Sequence, residues 1–327
     1  IADPADIKLG NGGAIGRSLL TLRARLNHYP QLRGKRLEEL RIIIVQAGGL
    51  GTRYTPGASS GSKTLMPLPM LLPGSVRQAT TMDLALLGGY KFTQALQAEH
   101  RAGLVVLNGD GVLLTEPQLV DGIALVTNPE SLEEAEKRLG VVVVDPTSRK
   151  VEVFLEKPSR DEMRANPTLA LQVDFATHAR TVRQLDTNTA SFVISSADQA
   201  AYASFLNEGF LAVNELVEAR LRAGQPVYEI DTSNDYFVPL TVDQDSYLMQ
   251  RLFAKLDLVE PPTHDALEQL AGGEAVELTQ RVRNPAGDIV GQQPVTVSVD
   301  RFQFYQTVYD LVRRYFPALL APAQYPS

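Results

Sequence analysis

Ile42-Ile43-Ile44-Val45-Gln46-Ala47-Gly48-Gly49-Leu50-Gly51-Thr52-Arg53 is an apolar run that empties into a glycine-rich turn, and Lys63 follows ten residues later. An apolar run of this length bounded by glycines predicts a buried strand. Three glycines in four positions remove Cβ atoms, so backbone N–H groups can close on anionic oxygens. Arg53 adds a forked donor and Lys63 a point charge. The stretch therefore predicts a phosphate site made of Ala47, Gly48, Gly49, Gly51, Thr52, Arg53 and Lys63.

A Walker A loop is excluded by what surrounds Lys63. Ser62 stands where that motif needs glycine, and Thr64-Leu65-Met66-Pro67-Leu68-Pro69 carries two prolines where a helix would have to begin. The segment is expected to be extended and to carry Lys63 back across the mouth of the site. Upstream, Gly10-Asn11-Gly12-Gly13-Ala14-Ile15-Gly16 is a second glycine cluster followed by Leu19, Leu22 and Leu26 at helical spacing. It predicts strand, turn, helix. A dinucleotide fingerprint is excluded because Ile15 occupies a required glycine position. Framing of a ligand and a plain tight turn both remain open for this loop.

Downstream, a helix is expected over 81–96, broken or bent at Gly88-Gly89. Leu104-Val105-Val106-Leu107 predicts a short buried strand ending in Asn108-Gly109-Asp110-Gly111. A carboxylate at such a strand end is either a metal or ligand contact or an Asx turn. Residues 140–145 and 151–156 predict a hairpin, with Lys157 kept out of any helix by Pro158. Residues 185–194 and 227–232 read as further strands, separated by a helix through 206–221. Strands alternating with helices imply an α/β protein with a nucleotide-binding, Rossmann-like, mostly parallel sheet covered by helices on both faces. The pattern blurs beyond residue 240, so 1–240 is expected to form the catalytic domain and 241–327 a C-terminal appendage packed on it. There the stripe of Tyr305, Val308 and Tyr309 reads as core.

Composition narrows the function classes. The chain has 327 residues, 44% hydrophobic and 21% charged, with formal net charge −7. That balance argues against a protein that coats nucleic acid or an anionic membrane surface. Long apolar runs and a secretory leader pattern are missing from the sequence given, so a soluble, cytoplasmic protein is expected. With no cysteine and four scattered histidines, disulfides, thiolate chemistry and a zinc site are not expected.

Taken together, these residues resemble a sugar-1-phosphate nucleotidyltransferase. Residues 47–53 are similar to that superfamily's signature loop, Lys63 to its following lysine, and Gly109-Asp110 to its metal-binding aspartate. Glu156-Lys157-Pro158 resembles the sugar-phosphate-binding strand, and Tyr228-Glu229-Ile230-Asp231-Thr232 the later strand with a second metal-binding aspartate. Within the superfamily the nearest likeness is to the GDP-fucose pyrophosphorylases, also found fused to L-fucokinase. It is carried by Gly10-Asn11-Gly12-Gly13-Ala14, Ser62-Lys63, Met82-Asp83-Leu84-Ala85-Leu86 and Leu139-Gly140-Val141-Val142-Val143. Asn11 replaces the family's usual serine, and Ala14-Ile15 its Ala-Thr. No sugar-kinase motif is present in this sequence, and the C-terminal β-helix of the fucose branch is not legible.

The resemblance implies that a nucleoside triphosphate and a sugar-1-phosphate give an NDP-sugar and pyrophosphate. Arg53, Lys63 and Asp110 would be catalytic, and Ala47, Gly48, Gly49, Gly51, Thr52 and Gly109 would bind nucleotide. Lys157, Asn188 and Thr189 would hold the sugar phosphate, and Asp110 and Asp231 would share Mg²⁺. Base and sugar stay open, as does a regulatory protein that binds nucleotide sugars without turnover. Lys63→Ala is expected to lower kcat/KM about a hundredfold or more, since a charge-assisted phosphate contact is worth roughly 1.5–3 kcal/mol and transition-state contacts more. Steady-state kinetics showing unchanged turnover would return Lys63 to an ordinary surface role.

Overall fold

The computed structural model describes residues 7–46, 65, 67–72, 74–109, 116–130, 135–136, 140–144, 151–165, 185–284 and 287–316. The glycine loop with Ala47 to Arg53, Lys63 and Asp110 lies outside the described residues, as does most of the charged segment 132–138.

The central sheet contains β1 (Arg41–Gln46), β4 (Gly103–Asn108), β5 (Gly122–Glu130), β6 (Gly140–Val144), β7 (Val151–Leu155) and β8 (Leu185–Ser195). β2 (Pro67–Leu71) and β3 (Gln78–Thr80) form a separate antiparallel pair, so the extended segment expected after Lys63 is present. The α/β class stands, but the sense of the sheet is mixed rather than mostly parallel. β1 pairs with β4 in parallel, Ile44 opposite Val106, whereas the β4–β8, β5–β8, β6–β8 and β6–β7 ladders are all antiparallel.

Alternation along the strands assigns each face. Ile43, Val45, Val105, Leu107 and Val193 point to one side, where Phe92 and Leu96 of α2 (Thr81–Ala98) cover them. Ile42, Leu104, Val106, Phe192 and Ile194 point to the other side and join the main core. A period of two that is apolar on both faces is what a doubly covered sheet requires. α2 runs unbroken through Gly88-Gly89, contrary to expectation: a Cβ on Gly89 would lie 2.7 Å from Leu107 Cδ1, so the missing side chain lets the helix sit close on the sheet. Its start is fixed by a capping box in which Thr80 Oγ1 accepts from the Asp83 amide while Asp83 accepts from the Thr80 amide.

The Gly10–Gly16 cluster is not a strand and a turn. Gly10–Arg25 is helix α1, entered at Gly10 with φ 77°. The extended segment 227–231 belongs to no sheet, which corrects the strand expected there, and it docks on the start of α1. Ile230 N donates to Leu9 O at 2.8 Å, and Ile230 O accepts from Gly12 N at 3.0 Å and Gly13 N at 3.3 Å. That carbonyl takes up donors that a helix start leaves unpaired. A side chain at Gly10 would put its Cβ 2.3 Å from Ile230 O.

α4 (Gln199–Ser204), a π-helical turn (Phe205–Phe210) and α5 (Leu211–Arg222) follow the sheet. Beyond residue 240 come α6 (Gln244–Phe253), α7 (His264–Ala271), the β9–β10 hairpin (Val276–Arg283 and Ile289–Val297) and α8 (Val299–Tyr315). α3 is the short Arg160–Ala165. One continuous core joins Leu9 and Leu19 to Tyr305, Val308, Val312 and Phe316, and so includes side chains from both sides of residue 240. No described helix is long and apolar enough to cross a membrane.

Gly16 gives a direct stability test. Its Cβ would fall 1.8 Å from Asn214 Cγ, and Asn214 is buried with Nδ2 donating to Phe210 O at 3.0 Å and Tyr236 Oη at 2.9 Å. Gly16→Ala should therefore cost about 1–3 kcal/mol in urea unfolding, through overpacking and lost hydrogen bonds. Gly16→Ala combined with Asn214→Ala should be less destabilised than additivity predicts. A single variant within about 0.5 kcal/mol of the parent would mean that α1 and α5 slide apart freely.

Candidate active site

β8 has eleven residues and is bordered differently along its two edges. β5 follows one edge throughout. On the other edge β4 pairs with Phe192 to Ser195, and β6 starts at Asn188 and runs towards Asp186. The end of β4 and the start of β6 thus face one another across a fork, where Thr189 and Ala190 pair with neither. The β5–β8 register also shifts here, Val126 facing Ser191 while Thr127 faces Asn188. A bulge where pairing stops is a common device for turning a strand towards a ligand. Asn188 and Thr189, expected to contact the sugar, lie at this bulge by backbone position.

Two more expected residues, Gly109 and Lys157, lie at the strand ends that border the fork. Gly109 closes the end of β4, its N–H donating to Gln46 O at 3.1 Å, which also ties it to the strand that leads into the glycine loop. At the end of β4, Asn108 N donates to Ser191 Oγ on β8 at 3.0 Å. Lys157 follows β7 with φ 48°, a left-handed conformation that costs a non-glycine residue energy and clusters at functional sites. Its exposed ammonium lies 3.3 Å from Glu156 Oε1.

Glu156 is a participant that the residue pattern did not single out on its own. Its carboxylate is largely buried, with a side-chain exposure of 15%, and sits beside Gly140, whose Cβ would be 3.3 Å from Oε2. Burial raises the Glu156 carboxyl above the ordinary glutamate value; Lys157 pulls it down, the Asp231 carboxylate pushes it up, and a hydrogen bond from Ser233 lowers it. The effect of Lys157 and Asp231 on Glu156, with the Lys157 ammonium 3.3 Å from Glu156 Oε1, places the three side chains in one cluster.

Asp231 does not end a strand. It caps the π-helical turn Thr232–Phe237, with Oδ1 accepting from Ser233 N at 3.2 Å and Oδ2 from Asn234 Nδ2 at 3.3 Å. The turn is docked by Phe237, whose ring lies 5.4 Å from Phe192 on β8 and 6.0 Å from Phe154 on β7. From the other side Asn11 Oδ1 accepts from Thr232 N at 2.7 Å. In the sequence Asn11 stands out only as part of the family resemblance, and Ser233 and Asn234 are not singled out, because their contacts to this turn join residues that the local pattern does not relate. Among the described residues no group of three or more His, Cys, Asp or Glu could by itself hold a metal ion.

Among the described residues, these features give an α/β protein with a forked sheet beside which Lys157, Glu156 and Asp231 cluster. The chain belongs to the fucose pyrophosphorylase family: the model of the fucose pyrophosphorylase domain matches residues 34–261. The likeness to sugar-1-phosphate nucleotidyltransferases thus holds at the level of the family. No curated protein matches the chain. Among solved structures, mannose-1-phosphate geranyltransferase from Thermus thermophilus is similar at 17% identity and a TM-score of 0.27, with 67% of this chain and 60% of that one covered. The chain therefore spans about 60% of that protein's length, and a TM-score this low carries no structural argument.

Glu156 supplies a pH test. A carboxyl raised on folding contributes stability that is full below its unfolded value and is lost as pH rises through the folded value. Glu156→Gln should remove that part of the decline, seen as a flatter stability profile above the ordinary glutamate range in denaturation at stepped pH. In carboxyl NMR titrations Asp231→Asn should bring the Glu156 midpoint down. A midpoint indifferent to Asp231 would separate the two side chains.

Proposed function

We propose that the chain is a sugar-1-phosphate nucleotidyltransferase, with GTP and fucose-1-phosphate as the first substrate pair to test. The observation that carries this reading is Lys157, strained and exposed at the fork, beside the Glu156–Asp231 carboxylates. In the reaction an oxygen of the sugar phosphate attacks the α-phosphorus of the triphosphate, the bond to the β-phosphate oxygen breaks, and pyrophosphate leaves. Little covalent work falls to the protein. The barrier lies in bringing two anions together and in charge growing on the leaving group, so positioned cations and N–H donors do most of the catalysis.

Lys157 would neutralise the sugar phosphate at the fork, with the Asn188–Thr189 bulge lying against the sugar. The 47–53 loop, Lys63 and Gly109 would hold the triphosphate, Arg53 and Lys63 taking up charge on the leaving pyrophosphate. Asp231 suits a hard cation: its oxygens are anionic, each accepts one long hydrogen bond from the described residues, and it lies close enough to Glu156 to raise that carboxyl. Asp231 and Asp110 would together hold Mg²⁺, which when bound offsets the charge of the two phosphates.

The deciding assay is pyrophosphate release from GTP, UTP, ATP, CTP and dTTP against a panel of sugar-1-phosphates. Release above background with GTP and fucose-1-phosphate supports the reading, and release with another pair keeps the chemistry and changes the substrates. Binding of nucleotide sugars with no release from any pair would favour a regulatory protein. Lys157→Ala should raise KM for the sugar-1-phosphate about tenfold or more with kcat little changed, since losing a charge-assisted contact costs roughly 1.5–3 kcal/mol. A variant altered solely in the triphosphate KM would move Lys157 to the other substrate.

A further inference from the structure

Asp231 owes its place to a neighbour with no part in the proposed chemistry. Asp235 is fully buried. Its Oδ1 accepts from Arg251 Nε at 2.6 Å and Tyr247 Oη at 2.8 Å, and its Oδ2 from Arg251 Nη2 at 2.7 Å and the Asp231 backbone N–H at 2.6 Å. The Asp231 carbonyl in turn accepts from Asp235 N at 2.8 Å. The cap residue is thus tied at both its amide and its carbonyl to one buried aspartate.

Arg251 extends the hold upstream. Nη2 also donates to Glu229 O at 3.0 Å, and the guanidinium lies 4.8 Å from the Tyr305 ring centre. Tyr305 Oη donates to the same Glu229 carbonyl at 2.9 Å. Tyr247 and Arg251 come from α6 and Tyr305 from α8, a helix beyond the family match at 34–261. Backbone from Glu229 to Asp235 is therefore pinned by three side chains, while within its own turn the Asp231 carboxylate accepts from Ser233 N and Asn234 Nδ2.

We propose that Asp235 and Arg251 are positioning residues for the Asp231 carboxylate, holding it in the orientation that accepts a divalent cation. This rests on Asp231 being a metal ligand, as argued above. A partner that orients a ligating carboxylate without touching the metal typically governs affinity about 10- to 100-fold. The arrangement also makes α6 and α8 part of the site's support, through contacts that reach Asp231 by way of its main chain.

The test uses the full chain and Mn²⁺ alone as probe, followed by water-proton relaxation, with amide hydrogen exchange over 229–235 as a second readout. Asp235→Asn is expected to weaken Mn²⁺ binding about 10- to 100-fold and to speed exchange in that segment, at a temperature where near-UV circular dichroism shows the variant folded. Tyr247→Phe removes one donor, keeps the ion pair and should give a smaller loss, which serves if Asp235→Asn does not fold. Asp235→Asn with Arg251→Met removes the stranded charge, so it should regain stability but not Mn²⁺ affinity. If Asp235→Asn or Tyr247→Phe loses stability yet binds Mn²⁺ like the parent, while Asp231→Asn does not, the pair is structural and the proposal falls with the metal reading intact. If Asp231→Asn itself binds Mn²⁺ like the parent, the metal reading falls and takes the positioning role with it.

Discussion

A carboxylate taken wholly out of water must be given donors for its lone pairs, and Asp235 obtains four from three residues. Burial still pushes its carboxyl above the ordinary aspartate value, against the pull of Arg251. Burial likewise opposes the charge on Arg251, but the Asp235 carboxylate together with Tyr305 and Tyr247 holds the guanidinium above its ordinary value. Removing one partner would strand the other's charge in the core, which is the costly outcome for a buried pair. The elements that supply the donors are therefore bound to a common arrangement: α6 through Tyr247 and Arg251, and the 229–235 segment through its own backbone. Aromatic packing continues that arrangement into the main core, where Tyr236 lies 5.6 Å from Phe316 and 4.6 Å from Phe210.

The same segment is closed from the opposite side by α1, and there the constraint is steric. Helix α1 begins where the Ile230 carbonyl can accept two of its first N–H groups, and that approach leaves no room for side chains. Glycine in a helix ordinarily costs about 0.5–1 kcal/mol against alanine, so a cluster of them needs a compensating contact. The Ile230 carbonyl and the Asn214 side chain provide it. The fork between β4 and β6 then receives a turn whose position has been set by both termini of the described chain.

Much of this was legible in the sequence, where period and length decide. The runs at 42–46, 104–107, 140–144 and 151–155 became strands, and 81–98 a helix, because apolar residues recur at the spacing each element buries. The glycine cluster misled because glycine has two uses, open turns and close contacts, and the local pattern is the same for both. Residues 227–232 misled for a related reason: Val227-Tyr228-Glu229-Ile230-Asp231-Thr232 alternates like a strand and is extended, but its backbone partner is a helix start. The sense of the sheet was out of reach because β8 joins strands far apart in sequence, and local alternation carries no direction. Asp235 was hidden as well, since Arg251 is sixteen residues away across a turn. Its one visible trace was an acidic residue set against Tyr236-Phe237, where a solvated aspartate would need no aromatic neighbours.

The charge at the fork constrains how the proposed reaction could be ordered. Lys157 offers one positive charge, while Glu156 and Asp231 offer two negative ones when ionised, in a chain whose formal net charge is already −7. Taken by themselves, these three described groups repel a sugar phosphate unless something alters the balance. Protonating Glu156 shifts it by one charge, and burial makes that easier by raising the carboxyl. A divalent cation, if held by Asp231 as proposed, would shift it by two and would favour the ionised form of Glu156. On the proposed reading, metal and anionic substrate therefore bind cooperatively: each reduces the repulsion that the other meets, and by linkage the coupling is equal in both directions. Strain at Lys157 fits the same logic, because a left-handed backbone there ends the hairpin abruptly and presents the ammonium at the fork beside the carboxylates it must offset.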